Sequence, residues 1–378
     1  MAVSIVIYLD NAATSRKKPL SVYASMMKNT FFGSQNAGRG ANKLSLAAVR
    51  TIVEAQDTIA ELFNIDKPQN IAFMQNATYA LNTAIRGTLH RGDHVIATEM
   101  DHNSVLRPIY EYDDYTIVKA NSDGFVDAAD VESAIKENTR LIVCTHASNV
   151  CGALQPIEEI GKIAKRHNVM FLVDTAQTAG SVEIDVDKIG ADLLAFSGHK
   201  GLMGVLGTGG LYVREPSLLT PIVTGGTGSN SESVKQPDFM PDMLHSGTMN
   251  TPAIAALREG VRYVIHHGAE NIGAHERFLA AYFESELMNV KGIRIYGKKP
   301  KIGTVAFNLG DVDSVRIEKL LSDRFAVRAG FHCAPLAHKA LGTSDRGAVR
   351  VSFGAFSKKY EVKMLIDALY KISKSELG

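Results

Sequence analysis

Cysteine is scarce in this chain, with Cys144, Cys151 and Cys333 the only three among 378 residues. Three thiols without regular spacing exclude a disulfide framework and a zinc site, so each is judged alone. Charge of one sign is also lacking: 41 Lys and Arg face 40 Asp and Glu, a net charge of +1. That balance supplies no basic field for nucleic acid and no polybasic arm for a membrane surface, which leaves small molecules as the default ligand. No apolar stretch approaches the roughly 20 residues that cross a bilayer. The segment from Met1 to Tyr8 is apolar, but it has no basic start and is too short for a secretory signal, so the expected location is cytoplasmic. Repeats, low-complexity tracts and long Pro/Ser linkers are missing too, which puts any domain boundary within continuous helix.

What is present is an ordinary globular composition, 45% hydrophobic and 21% charged, in a chain long enough to divide its core. Short β-branched runs occur at 71–74, 94–98, 116–119, 141–145, 170–174, 193–196 and 210–213. Between several of them lie helical patterns, as at 77–89 and 157–167, long enough to cross over between parallel strands. Runs such as Leu141-Ile142-Val143 and Phe171-Leu172-Val173 do not alternate polar with apolar, as expected of strands covered on both faces. Past Met249 the rhythm changes to a long helical stretch, strands near 293–296 and 303–308, a helix near 315–322 and a closing helix after Lys358. The expected fold class is α/β with a separate, smaller α+β domain.

Ligands of open α/β sheets sit at the carboxyl ends of the strands. Ala77 and Thr78 follow the first run and open a helix, where free N–H groups and the helix dipole favour a phosphate; alone, Thr78 reads as an N-cap neighbour. Asp174 ends a buried strand, where a carboxylate needs a cation or donors, although an N-cap is as good a reading in isolation. Lys200, in Phe196-Ser197-Gly198-His199-Lys200-Gly201, would be nucleophilic if desolvated or placed near other positive charge; alone it is a surface lysine in a glycine loop. Gly204, Gly207, Gly209 and Gly210 lack dinucleotide spacing, and no Walker lysine follows them. His90 and His94 have no third ligand at fitting spacing and are expected to be structural.

Taken in order, Tyr8-Leu9-Asp10-Asn11-Ala12-Ala13-Thr14, Ser197-Gly198-His199-Lys200 and Val327-Arg328-Ala329-Gly330-Phe331-His332-Cys333-Ala334-Pro335 resemble motifs of the class V aminotransferase family. Within these fold-type I pyridoxal-phosphate enzymes the likeness is to cysteine desulfurases of the SufS-like branch. The resemblance implies a large domain at 15–255 with a mostly parallel seven-stranded sheet sandwiched by helices, and a small C-terminal domain at 256–378 carrying Cys333. Residues 1–14 would pack with the small domain.

Carried over residue by residue, the resemblance gives Lys200 the Schiff base to pyridoxal 5'-phosphate, and gives Ala77, Thr78, Ser197 and His199 its phosphate. His102, in Glu99-Met100-Asp101-His102-Asn103, would stack on the ring and exchange protons. Asn149 would lie near the ring hydroxyl and the substrate carboxylate, Gln177 would donate to the ring hydroxyl, and Asp174 would hold the pyridine nitrogen protonated. Thr248 would reach the phosphate of a neighbouring subunit, which makes the active unit a homodimer. Arg350 would bind the substrate carboxylate bidentately. Arg39, in Gly38-Arg39-Gly40 where relatives have His-Arg-Gly, is a weaker substrate contact. Cys333 would take the sulfur, with His332 and Arg328 favouring its thiolate; Phe331 stands where SufS-like enzymes commonly have a second histidine. A Gly225-Gly226-Thr227-Gly228 loop is particular to this chain.

The implied reaction converts L-cysteine to L-alanine and leaves a persulfide on Cys333. A sulfur-acceptor protein or small thiol then takes the sulfur toward iron–sulfur clusters or other thio-cofactors. The rivals are selenocysteine lysis, which takes L-selenocysteine, another class V aminotransferase or lyase reaction, and a cofactor-retaining regulatory module without turnover.

Overall fold

The computed structural model describes residues 6–33, 36–37 and 42–377; Arg39 lies outside them. A two-residue strand, β1 (Ile7–Tyr8), precedes two long helices, α1 (Leu20–Phe32) and α2 (Lys43–Phe63). Strands and helices then alternate: β2 (Ile71–Met74), α3 (Ala77–Thr88), β3 (His94–Thr98), α4 (Asn103–Ile109), β4 (Tyr115–Val118), α5 (Ala128–Ser133), β5 (Thr139–Thr145) and α6 (Ile157–Arg166). The same layer is completed by β6 (Met170–Asp174), α7 (Val186–Ile189), β7 (Leu193–Ser197) and β8 (Gly209–Val213). Helices α8 (Thr251–His267) and α9 (Ala269–Leu287) lead to β9 (Ile293–Tyr296), β10 (Thr304–Leu309), α10 (Ser314–Leu321), β11 (Phe325–Ala326), β12 (Arg328–Gly330), α11 (Pro335–Ala340), β13 (Ala348–Ser352) and α12 (Lys359–Leu377).

The large sheet has seven strands in the order β2-β8-β7-β6-β5-β3-β4, parallel except for β8, which runs antiparallel to both β7 and β2. Continuous apolar runs are the consequence of two covered faces. Along β5, Leu141 and Val143 enter the core under α3 and α4, while Ile142 and Cys144 enter the opposite core with Phe63, Phe171 and Phe196. Helix α6 shows the complementary logic, with Glu158 and Glu159 in its first turn and Lys165 and Arg166 in its last, matching the helix dipole. His94 is structural as expected, its ring held between Thr139 Oγ1 at 2.7 Å and Thr116 Oγ1 at 2.9 Å.

The second sheet, β12-β13-β10-β9, is antiparallel and packs Val349, Val351 and Phe307 against Phe283 and α12. Strand β13 carries the polar Arg350 between these valines, on the face turned away from the small core. The amino-terminal strap joins both layers: β1 pairs parallel with β11, Ser352 donates to Leu9 O at 2.8 Å, and Ser15 N donates to His199 O at 3.1 Å. Helix α8 runs across position 255, with Ile254, Leu257 and Val261 buried in the core of the large sheet.

Close backbone approaches fix the loop after Lys200. A Cβ on Gly260 of α8 would lie 2.3 Å from Leu202 O and 2.7 Å from the Met203 carbonyl carbon, so only glycine lets the helix seat there. Gly260→Ala is therefore expected to lower the unfolding free energy by about 1–3 kcal/mol. The loss would appear as a fall in the urea midpoint at unchanged slope; an unchanged midpoint would mean that helix and loop are not in tight contact.

Candidate active site

The carboxyl ends of β3, β5, β6 and β7 enclose a cavity of about 300 Å³, lined by Ala77, Thr78, His102, Asn149, Asp174, Gln177, Ser197, His199 and Lys200. Nine residues singled out from the sequence thus share one site. Burial lowers the Lys200 ammonium to about 8; the nearby Asp174 opposes this shift and Arg350 reinforces it. Asp174 is buried, and its carboxylate accepts a single donor among the described residues, the Ala176 amide at 2.9 Å. Burial raises its pKa in spite of that bond and the Lys200 charge.

One wall is built on α4. His102 caps this helix, its Nδ1 accepting from Ser104 N at 3.0 Å, and Ser104 Oγ lies 2.8 Å from Thr78 Oγ1. Burial, then the positive charge of Lys200, pushes the imidazole down to about 4, so His102 is a neutral ring at neutral pH. Behind it, buried Asp101 accepts from Thr98 N and Oγ1, both at 2.8 Å, and from Thr145 N at 2.7 Å, tying β3 to β5. Desolvation still lifts its pKa to about 7.

The opposite wall is held by the strap. The His199 carbonyl faces Thr14 Oγ1, Ser15 N and Ser15 Oγ, each at 3.1 Å, and Ser15 Oγ also reaches Lys200 O at 2.9 Å. The Thr14 hydroxyl meets His199 Nδ1 at 3.0 Å, and Gln177 Nε2 donates to Ala12 O at 3.1 Å.

Cys333 and Arg350 do not line this cavity; hydrogen bonds tie their segments to Asn149, which does, and to Asn103 beside His102. The Asn149 side chain donates to His332 O at 2.7 Å, the Asn103 amide to Cys333 O at 2.8 Å, and Arg350 Nη1 to Asn149 O at 3.0 Å. Cys333 is exposed, whereas Cys144 and Cys151 are buried, with thiol pKa values raised by desolvation. Arg350 is buried, ion-paired to Asp10 Oδ1 at 2.5 Å, and its Nε has no partner among the described residues.

His332 corrects one expectation. Its ring does not lend positive charge to Cys333: it is buried against His338, and burial, then Arg350, pushes its pKa down to about 2. Arg328 remains as the cation on that strand. Thr248 lines a separate cleft with Thr227, Ser229 and His245. Sequence reasoning missed Asp10, Ser15, Asn103 and His338. Asp10 alone gave a signal, a carboxylate following an apolar pair inside a quoted motif.

Residues 7–365 match the family model described as aminotransferase class-V. The chain belongs to the class V aminotransferase family. It is 33% identical over 381 residues to a protein of Methanothermobacter thermautotrophicus named probable cysteine desulfurase, covering 97% of this chain and 94% of the relative. A cysteine desulfurase of Cronobacter sakazakii is 32% identical, with 97% and 93% covered. Among solved structures, the apo cysteine desulfurase of Thermococcus onnurineus matches with a TM-score of 0.91 at 32% identity, covering 98% of this chain and 95% of that one.

Class V aminotransferases depend on pyridoxal 5'-phosphate, and the residues present fit that group. A desolvated amine would take its aldehyde, and a buried carboxylate short of donors would take its protonated ring nitrogen. The first amides of α3, whose Asn76 cap engages only Tyr79 N, would take its phosphate. The neutral amine is the nucleophile, and Lys200 loses its proton near pH about 8 instead of 10.5. Covalent capture of the cofactor by the cofactor-free chain should therefore quicken with rising pH and level off above about 8, followed by the growth of visible absorbance. A rate that keeps climbing about tenfold per pH unit beyond that range would contradict the lowered value.

Proposed function

We propose that this chain is a cysteine desulfurase that converts L-cysteine to L-alanine and carries the sulfur on Cys333. The observation that carries the reading is the physical joining of the two halves of the site: Asn149 lines the Lys200 cavity and also holds the loop of Cys333. The names of the relatives support the same activity.

When bound, the cofactor supplies an electron sink for the charge left as the substrate α-proton departs. Lys200, as the neutral amine, removes that proton. Arg350 binds the substrate carboxylate, while Asp10 and Asn149 O hold the guanidinium in place; its buried Nε–H is a donor to spare among the described residues. The Cys333 thiolate attacks the substrate sulfur: the S–S bond forms, the C–S bond breaks with its electron pair staying on carbon, and a proton completes alanine. Cysteine and one thiol thus give alanine and one persulfide, with no outside oxidant. Exposure of Cys333 suits delivery to an acceptor protein or a small thiol.

The active unit is a homodimer in this reading. Its support is the exposed apolar side chains Leu20, Met27 and Phe31 on α1 and Val53 on α2, and the position of Thr248 apart from its own chain's cavity. The division into a cofactor-binding unit and a small unit carrying Cys333 belongs to the same proposal, with α8 shared between them. No helix of the described residues is long and apolar enough to cross a membrane; the free thiols fit a reducing, cytoplasmic setting.

Wild type, Lys200→Ala and Cys333→Ala, each incubated with cysteine and a reductant, test the assignment by alanine and sulfide released. Both variants are expected to lose about a hundredfold or more in alanine release, with Cys333→Ala retaining the colour of the bound cofactor. Wild-type alanine release by Cys333→Ala would overturn the persulfide step, and activity kept on selenocysteine alone would point to a lyase.

A further inference from the structure

The loop that carries Cys333 has an unusual backbone. His332 and Cys333 are consecutive non-glycine residues in the left-handed region, with φ of 50° and 57°. Such a conformation is costly for a residue with a side chain and persists only where its surroundings over-determine it. Two of the restraints come from the large layer, the bonds of Asn149 and Asn103 to the carbonyls of His332 and Cys333. The third lies within the small layer. The His332 ring stacks on His338 with centroids 5.3 Å apart and planes at 15°, and their Nδ1 and Nε2 atoms are 3.1 Å apart.

One tautomer pair satisfies this contact. Thr343 Oγ1–H donates to His338 Nδ1 at 2.7 Å, His338 Nε2–H to His332 Nδ1, and His332 Nε2–H to Arg328 O at 3.3 Å. A proton added to the His332 ring would set its Nδ1–H against the Nε2–H of His338. All three side chains are buried, and Phe331 closes the outer side, its ring edge-on to His338 at 5.4 Å.

We propose that His338 is a positioning residue for Cys333: held by Thr343, it fixes the His332 ring and so locks the paired left-handed turn that carries Cys333. This rests on Cys333 being the sulfur carrier. His338 itself touches neither substrate nor cofactor. It acts through the next ring, and the helix α11 that bears it starts directly after the cysteine loop. The cost of the turn explains the need for a dedicated latch beside the bonds of Asn149 and Asn103, which reach only the two carbonyls of the loop.

The test uses the cofactor-loaded full chain with His338→Leu, which removes the donor, and His338→Gln, whose side-chain amide still offers one. Thr343→Val serves as a second, milder variant. Sulfur transfer to Cys333 in a single turnover should slow about tenfold or more in His338→Leu, while the colour change on adding cysteine stays within about twofold of wild type. His338→Gln should recover most of the transfer rate, and Thr343→Val should fall between. In the cofactor-free chain, amide exchange across residues 330–334 should quicken about tenfold in His338→Leu, a readout independent of any activity. Unchanged exchange, a wild-type transfer rate in His338→Leu, or equal losses of colour change and transfer would each overturn the proposal. Cys333→Ala in the same assay keeps the two readings apart: alanine release at the wild-type rate would remove the sulfur-carrier role, whereas the exchange result stands or falls on the latch alone.

Discussion

An amine and a carboxylate are buried together at the carboxyl edge of the large sheet, and the rest of the molecule is arranged around the cost of keeping them there. Lys200 is desolvated strongly enough to lower its pKa to about 8 although Asp174 is near. Asp174 in turn has one backbone donor in a setting where buried carboxylates ordinarily collect several. Neither group is at rest as it stands. A ligand that brings an electrophilic carbon to one and a cationic nitrogen to the other relieves both, so the site is shaped by what it lacks.

The strap from Tyr8 to Ser15 is what makes this pair useful. Its first residues extend the small layer, pairing with β11 and β13, and Asp10 grips Arg350. Its last residues hold the carbonyls of His199 and Lys200. One short segment therefore registers Arg350 against Lys200. The Asn149 and Asn103 bonds tie the Cys333 loop to the large layer in the same way, so Lys200, Arg350 and the Cys333 loop are held to one another at several points.

The strands of the large sheet could be read from the sequence because each is buried on both faces, which leaves a continuous apolar run. Strand β13 was not read as one, since Arg350 interrupts its valines, and β1, β11 and β12 are too short to leave a period. Lys200, Asp174 and Thr78 stand where strand ends predict ligand groups, so their neighbourhood was legible from the residues; their roles, and His102 altogether, came only from the order of motifs. The hydrogen-bond partners were not legible. Asp10 and Arg350 are 340 positions apart, and nothing local ties Asn149 to His332, 183 positions away. The expected charge on His332 failed for the same reason: its neighbour Cys333 was visible in the sequence, but its burial against His338 was not.

The central claim is that Lys200 and Cys333 serve one reaction at one cavity. The most direct measurement is the mass of the Cys333 peptide after a single turnover with L-cysteine, in wild type and in Lys200→Ala. The account predicts a peptide heavier by one sulfur atom in wild type, unmodified in Lys200→Ala, with Cys144 and Cys151 unchanged in both. Alanine formed without sulfur on Cys333, or sulfur found there in the absence of Lys200, would contradict it.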